Sequence, residues 1–179
     1  MNDQPSRFSF PRPLWKKANP FDTFLPEHIA QEGVGRTWQD IRLFSKQSLL
    51  DNVAVATQDQ PGENLLQALF RPFRSRQSEL ENREDVSKQI AALDLEGRQS
   101  SSADKISLGQ SKRIAILRAV RAGAKVLFLD EPLSGLDAPG ITDVLELLRR
   151  LSEERNITLV IVEHVFNIPQ VLELASTVW

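Results

Sequence analysis

The chain has no cysteine in its 179 residues, which excludes a disulfide framework and cysteine-based zinc sites and fits a reducing compartment. It also has no long run of one charge sign. Twenty-two Lys and Arg stand against 24 Asp and Glu, a formal net charge of -2, so nothing in the balance points to a nucleic-acid partner. Long hydrophobic runs are missing too. Stretches such as Leu159 to Val162 fall far short of the roughly 20 apolar residues a membrane-spanning helix needs, so any membrane association has to go through a partner. Met1 to Asn19 is polar and proline-bearing, unlike a signal or transit sequence, and a cytoplasmic location is the expectation. The length suffices for one domain with a real core, or for one domain with a lobe inserted in it.

Pro5, Pro11, Pro13, Pro20 and Pro26, with aromatics between them and an alternation at Phe8 and Phe10, predict edge strand or irregular coil at the start of the chain. Val34 to Asp40 predicts a short strand running into a loop, and Ser48 to Val55 a helix. Between Gly62 and Gln99 the pattern is helical: Leu65, Leu66, Leu69 and Phe70 share a face, and a charged helix is expected from Ser78 to Leu93 with Ser78 and Glu81 as its capping box. A polar joint, Gln99 to Lys105, precedes a third helix from Leu108 to Ala122, which ends at Gly123. The texture then changes. Val126 to Leu129 is a continuous apolar run, Pro139 to Glu154 an amphipathic helix and Ile157 to Val162 a second apolar run, which together predict a βαβ unit with parallel strands. A helix from Phe166 to Leu174 and the start of a strand at Thr177 to Trp179 complete the expectation.

In open α/β sheets ligands bind beyond the carboxyl ends of the strands, so the polar residues that follow each apolar run carry the interest. The first run ends in Asp130 and Glu131. An Asp there can hold the magnesium of a nucleotide, and the adjacent Glu can take a proton from an attacking water; a solvated charged strand end is the plain alternative. The second run ends in Glu163 and His164, an imidazole able to donate to a phosphate or orient a base, although a lone histidine is more often an ordinary surface residue. Ser107, with Gly109 and Gln110 behind it, opens the third helix at its positive end, where a phosphate is favoured. Ser107 and Gln110 also make a capping box that needs no ligand, and local geometry favours the cap; Asp137 is equally an N-cap for the Pro139 helix.

The combination resembles the nucleotide-binding subunits of ATP-binding cassette transporters. Ile106-Ser107-Leu108-Gly109-Gln110 is similar to the signature L-S-G-G-Q, Val126 to Pro132 to Walker B and Ser134-Gly135-Leu136-Asp137 to the D-loop, and His164 stands where the switch histidine belongs. Upstream, Gly35 to Phe44 and Leu49 to Ala56 are similar to the G-x-x-R-T-F-Q-N-x-R-L-F and following segment of subunits that serve branched-chain amino acid and urea importers, which makes Gln39 the Q-loop glutamine. The resemblance covers roughly Pro26 to Trp179.

It implies an α/β fold, an incomplete P-loop NTPase core with a parallel sheet and an inserted helical lobe: core in residues 1–57, lobe in 58–123 and core again in 124–179. It implies ATP and Mg2+ as cofactors, Glu131 as general base, His164 as γ-phosphate partner, and Asp130 and Gln39 on the magnesium side. Ser107, Gly109, Gln110 and Asp137 become nucleotide-binding residues. The implied partners are a second ATPase subunit, whose site this signature completes, and transmembrane permease subunits that hold the chain at the inner face of the membrane, with no nucleic acid. A degenerate cassette kept as a docking or regulatory module is the alternative. The chromosome-maintenance and repair ATPases share several motifs but need a long coiled coil, for which the 68 positions from Gln39 to Ser107 leave no space.

Three departures bear on activity. G-x-x-x-x-G-K-[ST] does not occur: of the eight glycines, at 33, 35, 62, 97, 109, 123, 135 and 140, none is followed by Lys and then Ser or Thr. The chain thus resembles a family member that begins after the Walker A helix, and the expectations are that it cannot hold ATP by itself and that the Ile157 to Val162 strand has an open apolar edge. Leu108 replaces a signature glycine, where a β-carbon crowds a phosphate. Val165 replaces the Asp usual after the switch histidine.

Overall fold

The computed structural model of the protein describes residues 26–37, 41–58, 72–164 and 167–178. A short helix α1 (Pro26–Gln31), which the sequence pattern did not suggest, leads through Gly33 into strand β1 (Val34–Arg36). Helix α2 (Leu49–Ala54) and helix α3 (Pro72–Ala91) follow, then a 3-10 turn (Ala103–Lys105) and helix α4 (Leu108–Arg121). Strand β2 (Val126–Asp130), helix α5 (Ala138–Glu153), strand β3 (Thr158–Val162) and helix α6 (Ile168–Leu172) complete the described elements.

The three strands form one parallel sheet in the order β1-β2-β3, so β2-α5-β3 is the expected βαβ unit. Gly35 makes the first pairing possible: a β-carbon there would lie 2.8 Å from Ala124 Cβ, closer than carbon atoms pack. Side chains alternate across a strand, and the two faces of this sheet differ. Leu127 and Leu129 point into the core and are fully buried, whereas Phe128 between them is 43% exposed. Among the described elements only one face is covered.

Helix α5 lies against that covered face with Val144, Leu147, Leu148 and Leu151, the i, i+3, i+4, i+7 stripe of a one-sided helix. Each such side chain contributes about 1.5–3 kcal/mol when buried. Helix α4 packs on α5 and α2, and α3 on α2. Buried Asn52 braces the loop before α2: its Oδ1 accepts from the Phe44 amide at 2.8 Å, and its Nδ2 donates to the carbonyls of Ser48 and Phe44 at 3.0 and 3.1 Å. Arg121, at the end of α4, donates to Thr57 Oγ1 at 2.9 Å and pairs with Asp85 of α3, which ties the three helices together.

Helix α2 begins as the pattern predicted, with Ser48 Oγ accepting from the Asp51 amide, and α4 runs from its capping box to Arg121, with Ala122 as its C-cap and Gly123 beyond it at φ +85°. The second lobe helix does not. It is already helical at Pro72, where the described residues resume, so Ser78 lies inside the helix and is not its N-cap; the capping box with Glu81 is a correction. Helix α6 is shorter than the predicted Phe166 to Leu174, and Thr177 and Val178 belong to no strand. The expectations for Met1 to Leu25, for the face formed by Leu65 to Phe70 and for Trp179 lie outside the described residues.

Candidate functional site

Register brings the polar strand ends together. Asp130 is the Cα partner of Val162, and the Glu131 amide donates to the Val162 carbonyl at 2.8 Å. Asp130-Glu131 and Glu163-His164 therefore leave the sheet side by side at its carboxyl end. β1 ends there too, its Arg36 in register with Phe128 and its guanidinium on Asp130 Oδ2 at 3.3 Å. Gln39 lies three residues beyond Arg36, outside the described residues.

Glu131 has a left-handed backbone, φ +48°. A non-glycine residue there costs about 1–2 kcal/mol, so the surroundings must hold it. Lys112 of α4, only 8% exposed, does much of this: Nζ donates to the carbonyls of Glu131 at 2.9 Å and Ser134 at 2.7 Å. Burial pushes its ammonium down from the usual 10.5, against the carboxylates of Glu163 and Glu131, which favour the charge. Glu163 holds the same turn from the other side. One carboxylate oxygen accepts from the Leu133 amide at 2.6 Å, and the other accepts from the His164 amide and Asn167 Nδ2, both at 3.1 Å.

The other predicted residues form a second cluster. Ser107 Oγ accepts from the Gln110 amide at 3.2 Å, and Gln110 Oε1 accepts from the Ser107 amide at 3.1 Å, a complete capping box. Asp137 Oδ1 accepts from the Gly140 amide at 3.1 Å and so caps α5. Gly109 sits beside the start of α5: a β-carbon on it would be 3.6 Å from Gly140 Cα and from Leu136 Cδ2. Leu108 stands over Gly135, φ +73°, where an added β-carbon would be 3.1 Å from Leu108 Cδ2. Lys112 and the turn from Leu133 to Leu136 thus connect the two clusters. Sequence reasoning did not single out Lys112 or Arg36. Arg36 stands at a strand's carboxyl end and was open to the same rule that found Asp130; Lys112 carries no such signal.

The donor set suits magnesium in one respect. Mg2+ keeps several waters and takes one or two carboxylates along with substrate phosphates, and Asp130, part-exposed and paired with Arg36 through one oxygen only, can supply one such ligand. Among the described residues no group of three or more His, Cys, Asp or Glu could form a closed metal cage.

The family model for the ABC transporter matches residues 16–134. The chain belongs to that family. Among curated relatives it is similar to the high-affinity branched-chain amino acid transport ATP-binding protein BraF of Pseudomonas aeruginosa, 34% identical over 78% of this chain and 55% of the relative. It is also similar to LivG of Escherichia coli, another high-affinity branched-chain amino acid transport ATP-binding protein, 32% identical over 77% and 54%. The sulfate/thiosulfate import ATP-binding protein CysA 2 of Shewanella oneidensis is 33% identical over 77% and 36%. The chain spans about half the length of the branched-chain amino acid relatives it matches. Among solved structures, a dimeric ATP-binding cassette in a post-hydrolysis state with ADP and Pi superposes with a TM-score of 0.59 at 25% identity, over 81% of this chain and 59% of that one. A nucleotide-free cassette from an ABC transporter gives 0.59 at 25%, over 83% and 56%. The α/β fold with its parallel sheet is thus that of the ABC ATPase cassettes, a P-loop NTPase core.

Proposed function

We propose that this chain is part of an ABC ATPase subunit that energises import across a membrane, with branched-chain amino acids or urea as the substrate class. The observation that carries the reading is the alignment of Asp130-Glu131 with Glu163-His164 at one end of a parallel sheet, in a chain of this family. Asp130 would supply an oxygen to magnesium, and the family resemblance assigns Gln39 to the same task. Glu131 takes the proton of the attacking water, and His164 donates to the γ-phosphate. Ser107, Gly109 and Gln110, with Asp137, act on the nucleotide of a second ATPase subunit, and permease subunits hold the assembly at the inner face of the membrane. Residues 58–123 serve as the helical lobe between the core segments 1–57 and 124–179. The substrate class rests on the likeness of Gly35 to Phe44 to branched-chain amino acid and urea subunits and on the names of BraF and LivG.

G-x-x-x-x-G-K-[ST] does not occur in the 179 residues, so by themselves they supply no loop of this kind to anchor the phosphates. Calorimetric titration of the chain with Mg-ATP is expected to give neither micromolar affinity nor turnover. Micromolar binding, or hydrolysis abolished by Glu131→Gln, would mean that another loop takes its place. Mixed with an intact cassette subunit, the chain is expected to form an ATP-dependent heterodimer with at most one working site, and Ser107→Arg to abolish it.

The second reading is a non-catalytic docking or regulatory module. Its support is Leu108, 47% exposed at the position of a signature glycine, and the Ser107 hydroxyl already used as a cap. No ATP-dependent association in the mixture, or equal association by the arginine variant, selects it.

A further inference from the structure

A cleft between the end of α3, α4 and α5 includes none of the residues placed in the candidate site, and it carries an inference that does not depend on the ATPase reading. Its lining comes wholly from residues 89–155, inside the described stretch 72–164. Its volume is about 160 Å3, and an apolar cavity of about 150 Å3 suffices for a benzene-sized molecule. Leu93, Leu117, Leu147 and Leu151, all buried, give it an apolar wall.

The rest of the lining is largely charged. Asp143 is answered by Arg113 at 3.2 Å and Glu146 by Arg150, which leaves Asp94 and Glu154 against Arg155 alone. Glu146 first, and then the charges of Glu154 and Asp94, hold the Arg150 guanidinium above its ordinary value. Asp94, past the end of α3, and Glu154, the C-cap of α5, therefore stand near the same cation. Two buried atoms are also unused. Arg113 Nε and Gln89 Oε1, both on lining residues, find no hydrogen-bond partner among the described residues, although Arg113 donates through its other nitrogens to the Leu93 carbonyl at 2.7 Å and to Asp143. Buried polar atoms are nearly always bonded, so a donor and an acceptor left over beside one cleft point to a polar ligand rather than to plain packing.

We propose that the cleft binds a small aliphatic ammonium compound, with a branched tail of about five carbons on the leucines and the ammonium among Asp94, Glu146 and Glu154. An apolar wall with a few convergent polar groups is how such sites hold small molecules, and an excess of carboxylate selects a cation. A primary amine and an amino acid with the same tail share this chemistry. The amino acid adds a carboxylate, for which Arg155 is the cation without a salt bridge among the described residues.

The full chain, methyl-labelled in its leucines, is titrated by NMR at constant pH and ionic strength with isopentylamine, with leucine, and with isovalerate, which keeps a branched tail and reverses the charge. Saturable shifts of the Leu93, Leu117, Leu147 and Leu151 signals with a Kd of about 1 mM are expected for isopentylamine or leucine, and none for isovalerate over the same range. Shifts with the amine alone assign the cleft to amines, shifts with leucine alone to amino acids, and shifts with both to the ammonium they share. Asp94→Asn combined with Glu154→Gln is expected to weaken binding about tenfold. The proposal is overturned if neither ammonium compound gives saturable shifts below about 20 mM, or if isovalerate binds as well as they do. Unchanged affinity in the double variant with native circular dichroism overturns it too; should that variant not fold, the comparison with isovalerate decides.

Discussion

Replacing Lys112 by methionine tests how α4 holds the turn that follows β2. Methionine keeps the aliphatic stem and removes two donations, to the carbonyls of Glu131 and Ser134. Hydrogen bonds from a charged donor contribute roughly 1.5–3 kcal/mol each. Part of that loss is offset, because a buried ammonium no longer has to be desolvated and the Glu131 carbonyl still accepts from the Ser134 amide at 3.2 Å. The expected net loss is about 1–3 kcal/mol in urea unfolding. Its distribution is more informative than its size. Glu131 is held at a positive φ, so the turn should open locally, and amide exchange at Leu133, Ser134 and Leu136 should rise about 10–100-fold while α3 is unaffected. The sign of the pH dependence follows from burial. The ammonium is pushed below 10.5 in the folded chain, so the unfolded chain binds more protons in that window, and the native protein gains stability from this group as pH rises through it. The methionine variant lacks that gain. A stability change within about 0.5 kcal/mol, or a uniform rise in exchange across the chain, would refute the clamp.

Glu163→Gln should cost about 1–3 kcal/mol in urea unfolding, since the new amide group turns a donor toward one of the donors of Leu133, His164 and Asn167; wild-type stability would show that the carboxylate is not a needed acceptor. Gly135→Ala should cost about 1–2 kcal/mol by thermal or urea melts, because φ is +73° and the new carbon meets Leu108; adding Leu108→Ala should recover the contact but not the backbone strain. On acidification the bonds from Lys46 and then from the Ser102 hydroxyl hold Asp104 at about 2, and those from Ser48 and Arg83 hold Asp51 low as well. The stability these groups supply is present above the ordinary carboxylate value of 3.8 and is lost as pH falls toward about 2, so Asp104→Asn should flatten that part of the pH profile of the urea midpoint. An unchanged profile would show that the pair contributes nothing.

The resemblance to the family was legible because it rests on linear runs of residues in fixed order, and no contact need be known to read them. The starts of α2, α4 and α5 were legible for a related reason: Ser48, Ser107 and Asp137 bond to amides three residues on, so the physics that sets each start is contained in four consecutive residues. The same local rule misplaced the start of α3, since a serine three before a glutamate can equally sit inside a helix that is already under way at Pro72.

What the tertiary structure decided depends on partners distant in sequence. Lys112 reaches carbonyls 19 and 22 residues away, and Glu163 reaches an amide 30 residues back, so only the packing of α4 and β3 around the turn assigns them their work. Phe128 and Leu129 are equally apolar neighbours on one strand, yet one is exposed and the other buried. Alternation puts them on opposite faces, but which face is covered is decided by where α5 lies, and that position is a property of the folded chain alone.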